Sequence, residues 1–313
     1  MSEGRMPGRQ ATIGSLQLSR VGLGTAAFTL DGSQVDAVVR RALDLGINWI
    51  DTDIIFDRGE VERRIGDNLT ALPAGDRPAV AVAVGFDWDG RSRQAQLRPT
   101  LEPRRLRRQL ERSLSRLRIE TADLVKLHVG VPSDASFEDA WSMLLDLRQS
   151  GVVRSLGLIA PDSAHLERAE RIGTCDSLHV EMSLLDRRVS DGELLGRRQP
   201  TPAVIASHSA ASTELTVADR SDDDALQRMR LLLRTIATRR RASPAAVAAA
   251  WSLSWPGVAA VAVSVRSPED LSAVAKAADI ELSVRDLSDI GKLLPALGSG
   301  RGPVHPRRTA DAA

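Results

Sequence analysis

Tyrosine is absent from this 313-residue chain, and aromatic residues make up only 3% of it. Any proton it transfers must therefore come from a group other than a phenol. Cysteine occurs once, as Cys175, which excludes an intrachain disulfide and makes a reducing cytoplasm the natural expectation. Lysine is almost missing as well. The basic residues are overwhelmingly arginine, so Lys126, Lys276 and Lys292 each invite scrutiny. Neither sign of charge dominates. A formal net charge of +1 creates no global field for nucleic acid or an anionic surface, and neither partner is expected. Long hydrophobic runs are lacking too. The most apolar stretch, Trp251 to Val265, is interrupted by Ser252, Ser254, Pro256 and Gly257 and is too short for a bilayer. The opening MSEGRMPGRQ has no apolar core behind its basic residues and does not read as a signal peptide. No glycine-rich dinucleotide fingerprint or phosphate loop occurs.

What is present is ordinary globular chemistry, 42% hydrophobic and 27% charged, arranged with a clear period. ATIGSLQLSRVGLG reads as a hairpin around Gly14 followed by a strand at Arg20–Gly24. Val35, Val38, Val39, Ala42 and Leu43 then recur at helical spacing up to Gly46. PAVAVAVG, from Pro78 to Gly85, is a continuous apolar run of the kind buried on both faces of a parallel sheet. Further runs fall at Asn48–Thr52, Ala122–His128, Val152–Ile159, Ser177–Met182, Ala203–Ser207 and Val258–Ser264, and helical stripes separate most of them. Eight such β/α units predict an α/β fold, a (β/α)8 TIM barrel, with an N-terminal β-hairpin and an extra C-terminal helix. The barrel is expected over residues 11–294, with residues 1–10 a flexible N-terminus and 295–313 a disordered tail.

Barrels of this kind place chemistry at the C-terminal ends of their strands. Those ends carry Asp51 and Asp53, then Trp88 just after the third strand. Lys126 and His128 follow, then His179 and Glu181, then His208, and finally Arg266 and Ser267. Alternation along a strand puts Asp51 with Asp53, Lys126 with His128, and His179 with Glu181 on common faces. The scattered His128, His179 and His208 do not form a compact ligand motif, and no metal is expected. The arginines around Arg104 to Arg112 read as the solvated face of an outer helix.

The order of these pieces resembles the aldo-keto reductase superfamily from about Thr12 to Leu294. The resemblance is carried by GLGT (Gly22–Thr25), GINWIDTD (Gly46–Asp53), GEVERRIG (Gly59–Gly66), ADLVKLH (Ala122–His128), SGVVRSLGL (Ser150–Leu158), LLDRR (Leu184–Arg188) and VRSPEDL (Val265–Leu271). It implies a (β/α)8 barrel that uses NADPH and reduces carbonyls with an Asp–Tyr–Lys–His tetrad. The aspartate matches Asp51 and the histidine His128. The tyrosine position matches Phe56 and the lysine position Gly85, so this is a divergent member lacking the catalytic tyrosine and lysine. The family's nicotinamide contacts also depart. Its Ser-Asn pair matches Ile159 and Ala160, its strand-six glutamine matches His179, and its stacking ring matches Ser207. Arg266 and Ser267 remain where the family contacts the adenosine phosphate.

Taken together, these departures lead to the expectation of a barrel that has lost ordinary NADPH-dependent carbonyl reduction. It would be repurposed for non-redox acid/base chemistry of lyase, dehydratase, isomerase or cyclase type on a small molecule, with no cofactor. His128 would act as general base or acid, Asp51 as its electrostatic partner, and Lys126 and His208 as tuning groups. Asp53, Phe56, Trp88, His179 and Glu181 would line the substrate pocket. Two alternatives stand beside this. One is an atypical NADPH-dependent oxidoreductase in which His128 or a water donates the proton and Arg266 and Ser267 hold the phosphate. The other is a non-catalytic binding or regulatory protein.

Overall fold

A parallel sheet with no helix to cover it exposes apolar residues on both faces, and this chain closes the sheet on itself. The computed structural model describes residues 9–28, 32–56, 58–87, 96–130, 136–191, 193–195, 202–208, 224–297, 300 and 302–304. The strands are β1 (Gln10–Ile13), β2 (Leu16–Ser19), β3 (Val21–Gly24), β4 (Trp49–Thr52), β5 (Ala79–Val84), β6 (Phe86–Asp87), β7 (Arg98–Pro99), β8 (Ala122–His128), β9 (Val153–Ile159), β10 (Ser177–Glu181), β11 (Ala203–His208) and β12 (Val258–Ser264). Eight of them close into a barrel in the order β10-β11-β12-β3-β4-β5-β8-β9. Every pair around it is parallel. This is the expected (β/α)8 barrel.

The helices in chain order are α1 (Gly32–Asp44), α2 (Glu60–Thr70), α3 (Pro103–Leu117), α4 (Phe137–Gln149), α5 (Ser163–Ile172), α6 (Asp224–Arg240), α7 (Pro244–Leu253), α8 (Pro268–Val274) and α9 (Val284–Leu293). Their ends follow local chemistry. Ser136, Asp162, Ser243 and Ser267 each accept a backbone N–H of the first turn that follows them. Ser283 and Asp286 form a reciprocal capping box, and Asp286 also holds Arg239 and Arg240 of α6.

Strand β5 shows how alternation builds the two layers. Val80, Val82 and Val84 belong to the large outer core against the helices. Ala81 faces inward with Trp49, Leu124, Ile205, Ala260 and Ala262. The β1–β2 hairpin lies across the N-terminal end of the barrel and adds Ile13, Leu16 and Leu18 to that inner cluster. Of the segment expected to be a disordered tail, Leu297 is buried. The guanidinium of Arg187 donates to the carbonyls of Leu294 and Gly300, and the Ser190 hydroxyl donates to that of Pro303. At the other end, Gln10 of β1 pairs with Ser19 of β2 and Arg9 ion-pairs with Asp279.

Trp49 is 1% exposed and fills the inner core, with its indole N–H donating to the Ser19 carbonyl at 2.8 Å. Gly22 makes room for it. A Cβ there would lie 2.0 Å from the indole ring. Gly22→Ala is therefore expected to destabilise the barrel by about 1–3 kcal/mol through overpacking, and adding Trp49→Phe should relieve part of that loss. Urea denaturation of the single and double variants checks both.

Candidate active site at the C-terminal mouth

The inward stripe of β5 ends in small residues, Ala81, Ala83 and Gly85, and across it an ion pair and a carboxylate–imidazole pair form. Strand β5 stands between β4 and β8, with Asp51 beside Ala81 and Lys126 beside Ala83. Since Trp49 and Leu124 face the inner core, residues two further along each strand face inward as well. Asp51 and Lys126 form an ion pair there, with side chains 12% and 4% exposed. Above them the Nε2 of His128 lies 2.7 Å from Oδ2 of Asp53. Lys126 thus points into the barrel, on the face that parity gives it with His128. The pairing of His128 corrects the sequence reading, because its partner is Asp53, while Asp51 is taken by Lys126. Alternation fixes the face of a side chain, and reach across the intervening strand decides whom it meets.

Gly85 stands where the resemblance places a lysine. Its φ is +129°, and a Cβ would come within 2.7 Å of the His128 Cβ. No side chain fits there while His128 keeps its place. The Gly85 N–H is held by Oε1 of Gln109 at 3.0 Å, and the ring of Phe86 meets the His128 imidazole edge-on at 4.9 Å. Phe56 ends a short 3₁₀ turn, Ile54–Phe56, directly after Asp53. The side chains of Phe56 and His208, and Trp88 altogether, lie outside the described residues.

Asp51, Asp53, Lys126 and His128 line a small cavity of about 170 Å³ with Gly24, Thr25, Ala26, His179, Glu181, Ser207 and Ser264 among its walls. A depression of about 970 Å³ at the opposite end, around Ser15, Asn48, Pro78 and Asp123, is larger. Size is a poor guide here. The Asp123 carboxylate in that depression is already held by the Val80 N–H and by Arg154, whereas the small cavity gathers the titratable groups.

Burial raises the Asp51 carboxyl above its ordinary range, and the Lys126 ammonium pulls it back. Burial holds the His179 imidazole well below its ordinary value, with Lys126 and His128 adding to the effect. His179 is therefore a neutral ring. It shares a 3.2 Å contact between Nε2 and the Ser177 hydroxyl, while its buried Nδ1 has no partner. Glu181 stands exposed at the strand end, near the charge of Arg188. Arg266 is exposed after β12, and the Ser267 hydroxyl caps α8 by accepting from the Asp270 N–H at 3.1 Å. Ala160, at the position of the family's asparagine, has a φ of +51°. Asparagine tolerates that conformation, whereas alanine costs about 1–2 kcal/mol in it. The backbone thus keeps a shape the present side chain does not favour. Among the described residues, no group of three or more His, Cys, Asp or Glu side chains is placed to hold a metal, and no helix is long and apolar enough to cross a membrane.

A closed parallel barrel with paired carboxylates and cations at its C-terminal mouth defines the class of (β/α)8 barrels built for strand-end chemistry. Residues 20–295 match the model of the Aldo/keto reductase family, and the chain belongs to that family. It is 27% identical over 210 residues to the NADH-specific methylglyoxal reductase of Escherichia coli, a match covering 62% of this chain and 64% of that protein. The match thus spans a little under two thirds of that relative's length. The structure is similar to a glycerol dehydrogenase of Gluconobacter oxydans, with a TM-score of 0.83 and 23% identity over 93% of this chain and 96% of that one. It is also similar to an aldo/keto reductase of Klebsiella pneumoniae solved with NADP and acetate, with a TM-score of 0.75 and 22% identity over 96% and 99%. The expectation of non-redox lyase or isomerase chemistry is overturned by this kinship. The family is one of oxidoreductases, and the relatives carry redox names.

Lys126→Met leaves the Asp51 charge buried without its counter-ion, which costs on the order of 3–5 kcal/mol. Its sign with pH follows from the raised Asp51 value. Protonation relieves the charge, so the deficit should be full at neutral pH and shrink as pH falls through the raised carboxyl range. Denaturant midpoints between pH 4 and 8 would show this. His179 behaves oppositely. Its folded value is depressed, so the stability it contributes is present above about pH 6.5 and is lost as pH falls, at up to about 1.4 kcal/mol per pH unit. His179→Gln should remove that slope from the same denaturation series.

Proposed function

We propose that this protein is an NADPH-dependent oxidoreductase that interconverts small carbonyl compounds and alcohols, with His128 supplying the proton that a tyrosine would otherwise give. The observation that carries the reading is the inward ion pair of Asp51 with Lys126 beneath His128. A lysine–aspartate pair persists at the mouth although the expected lysine position is Gly85. The ammonium comes from β8 in place of β5. Loss of the phenol at Phe56 then changes the identity of the acid and leaves the charged framework in place.

The residues present fit a nicotinamide cofactor. The unpartnered Nδ1 of His179 is a buried polar atom suited to a carboxamide. The small residues Gly24, Ala26, Ser207 and Ser264 leave the wall of the cavity open to a flat ring. Exposed Arg266 suits the adenosine phosphate. Ser267 contributes to α8 by capping it, and any phosphate contact from it would compete with that bond. When bound, the cofactor supplies the hydride. His128 delivers a proton to the substrate oxygen, and the buried Asp51–Lys126 pair keeps the floor of the site electrostatically fixed. The substrate is a small molecule, in keeping with a cavity of about 170 Å³. Cys175 is buried and its thiol is pushed up, which makes it an unreactive core residue.

Titration of the purified protein with NADPH, followed by cofactor fluorescence, should give saturable binding. Arg266→Ala is expected to weaken it by on the order of tenfold, the loss of about one charge-assisted hydrogen bond. His128→Ala should lower kcat for methylglyoxal reduction by about 10²-fold or more while leaving NADPH affinity unchanged. Absence of saturable binding to the unmodified protein overturns the reading.

A further inference from the structure

We infer that Asp53 is a positioning residue for His128, and that the Asp53–His128 pair, built across Gly85, is the working unit of the mouth. The role of the pair in turnover rests on the oxidoreductase reading above, whereas the pair itself does not.

The geometry constrains the imidazole on several sides. Asp53 and His128 approach at 2.7 Å with side chains only 8% and 12% exposed. The second carboxylate oxygen, Oδ1, accepts the Ile55 N–H at 3.1 Å, which ties the carboxylate to the 3₁₀ turn after β4. Phe86 packs edge-on against the ring, and the bare Cα of Gly85 is what allows His128 to sit where it does. Below, Asp51 and Lys126 repeat the arrangement two residues earlier on each strand. Each carboxylate of β4 thus meets the cation or imidazole of β8 at its own level.

An ionised carboxylate can only accept. In the neutral ring, Nε2 therefore carries the proton and Nδ1 the lone pair. A carboxylate in this position fixes tautomer and orientation and steadies the imidazolium that forms when the ring is loaded. In carbonyl reduction the hydride adds to the carbonyl carbon, and the π pair of the C=O moves onto oxygen. That oxygen takes the proton from Nδ1, whose N–H bonding pair stays on nitrogen. The ring is left neutral, with Nε2–H still on Asp53, and solvent returns the proton.

The competing role for Asp53 is as a loop anchor through Ile55. Asp53→Asn separates the two. It keeps an oxygen for the Ile55 N–H, but it removes the charge and turns an amide NH2, which can only donate, toward Nε2, so the ring should change to the Nδ1–H tautomer. We expect Asp53→Asn to lower kcat for methylglyoxal reduction by about 10²-fold, with KM and NADPH affinity within about twofold of the unmodified protein. Asp53→Glu should recover part of the rate. A second readout needs neither cofactor nor substrate. In ¹⁵N spectra of the protein, at a pH where the ring is neutral, His128 should be in the Nε2–H tautomer, and Asp53→Leu should shift it toward a mixture. An Asp53→Asn enzyme with unchanged kcat, or a His128 tautomer indifferent to Asp53→Leu, overturns the inference. Should NADPH fail to bind the unmodified protein, the oxidoreductase reading falls, and the tautomer alone decides whether Asp53 positions the ring. If Asp53→Leu fails to fold, the tautomer is read in Asp53→Asn against Gly85→Ala. Gly85→Ala displaces His128 from the carboxylate and should produce the mixture, while Asp53→Asn should drive the ring to Nδ1–H; an unchanged Nε2–H tautomer in both overturns the inference.

Discussion

A carboxylate and an ammonium taken out of water destabilise a fold unless they meet, and the mouth of this barrel is organised around that requirement. Asp51 and Lys126 reach toward each other from strands that are not neighbours, over an inward stripe of β5 made of Ala81, Ala83 and Gly85. Each group would be costly alone, and a buried pair with one member removed typically loses several kcal/mol. The small side chains of β5 follow from this. A larger residue at Ala83 or Gly85 would stand in the path of the bridging groups. His179 stays neutral partly because the same ammonium lies near it. His128, next along β8, is carried to Asp53 by the same strand geometry.

That framework gives the departures from the family resemblance at Phe56 and Gly85 a structural setting. Read singly, Phe56 and Gly85 look like deletions. In three dimensions Gly85 is where His128 needs space, and the ammonium enters from β8. On the proposed reading the imidazole of His128 serves as the proton donor, and His179 keeps a buried polar atom without a partner. Family membership over residues 20–295 favours redox chemistry over a change of reaction class.

The barrel was legible in the sequence because its signals are local. Apolar runs such as AVAVAV, helical stripes and the glycine at Gly46 mark each β/α unit without knowledge of the others. That Lys126 shares a face with His128 was legible for the same reason, since parity along a strand is a local property, whereas its inward direction was left open. The partner of His128 was not. Choosing Asp53 over Asp51 depends on stagger between β4 and β8, which no single strand encodes. The role of Ser267 was hidden in the same way. Its hydroxyl is engaged by the turn of α8 behind it, and a Ser-Pro-Glu-Asp stretch is itself a capping signal that could have revealed this. Contacts such as Arg187 with Gly300 join distant segments, so the packing of the C-terminal residues could not be read from their composition.

The coupling between Asp51 and Lys126 tests this account most directly. A double-mutant cycle in denaturant, using Asp51→Asn, Lys126→Met and the two together, isolates it. An interaction of about 2 kcal/mol or more is predicted, with the double variant more stable than Lys126→Met alone. A coupling below about 0.5 kcal/mol, the level seen for independent sites, would contradict the claim that this buried pair organises the mouth of the barrel.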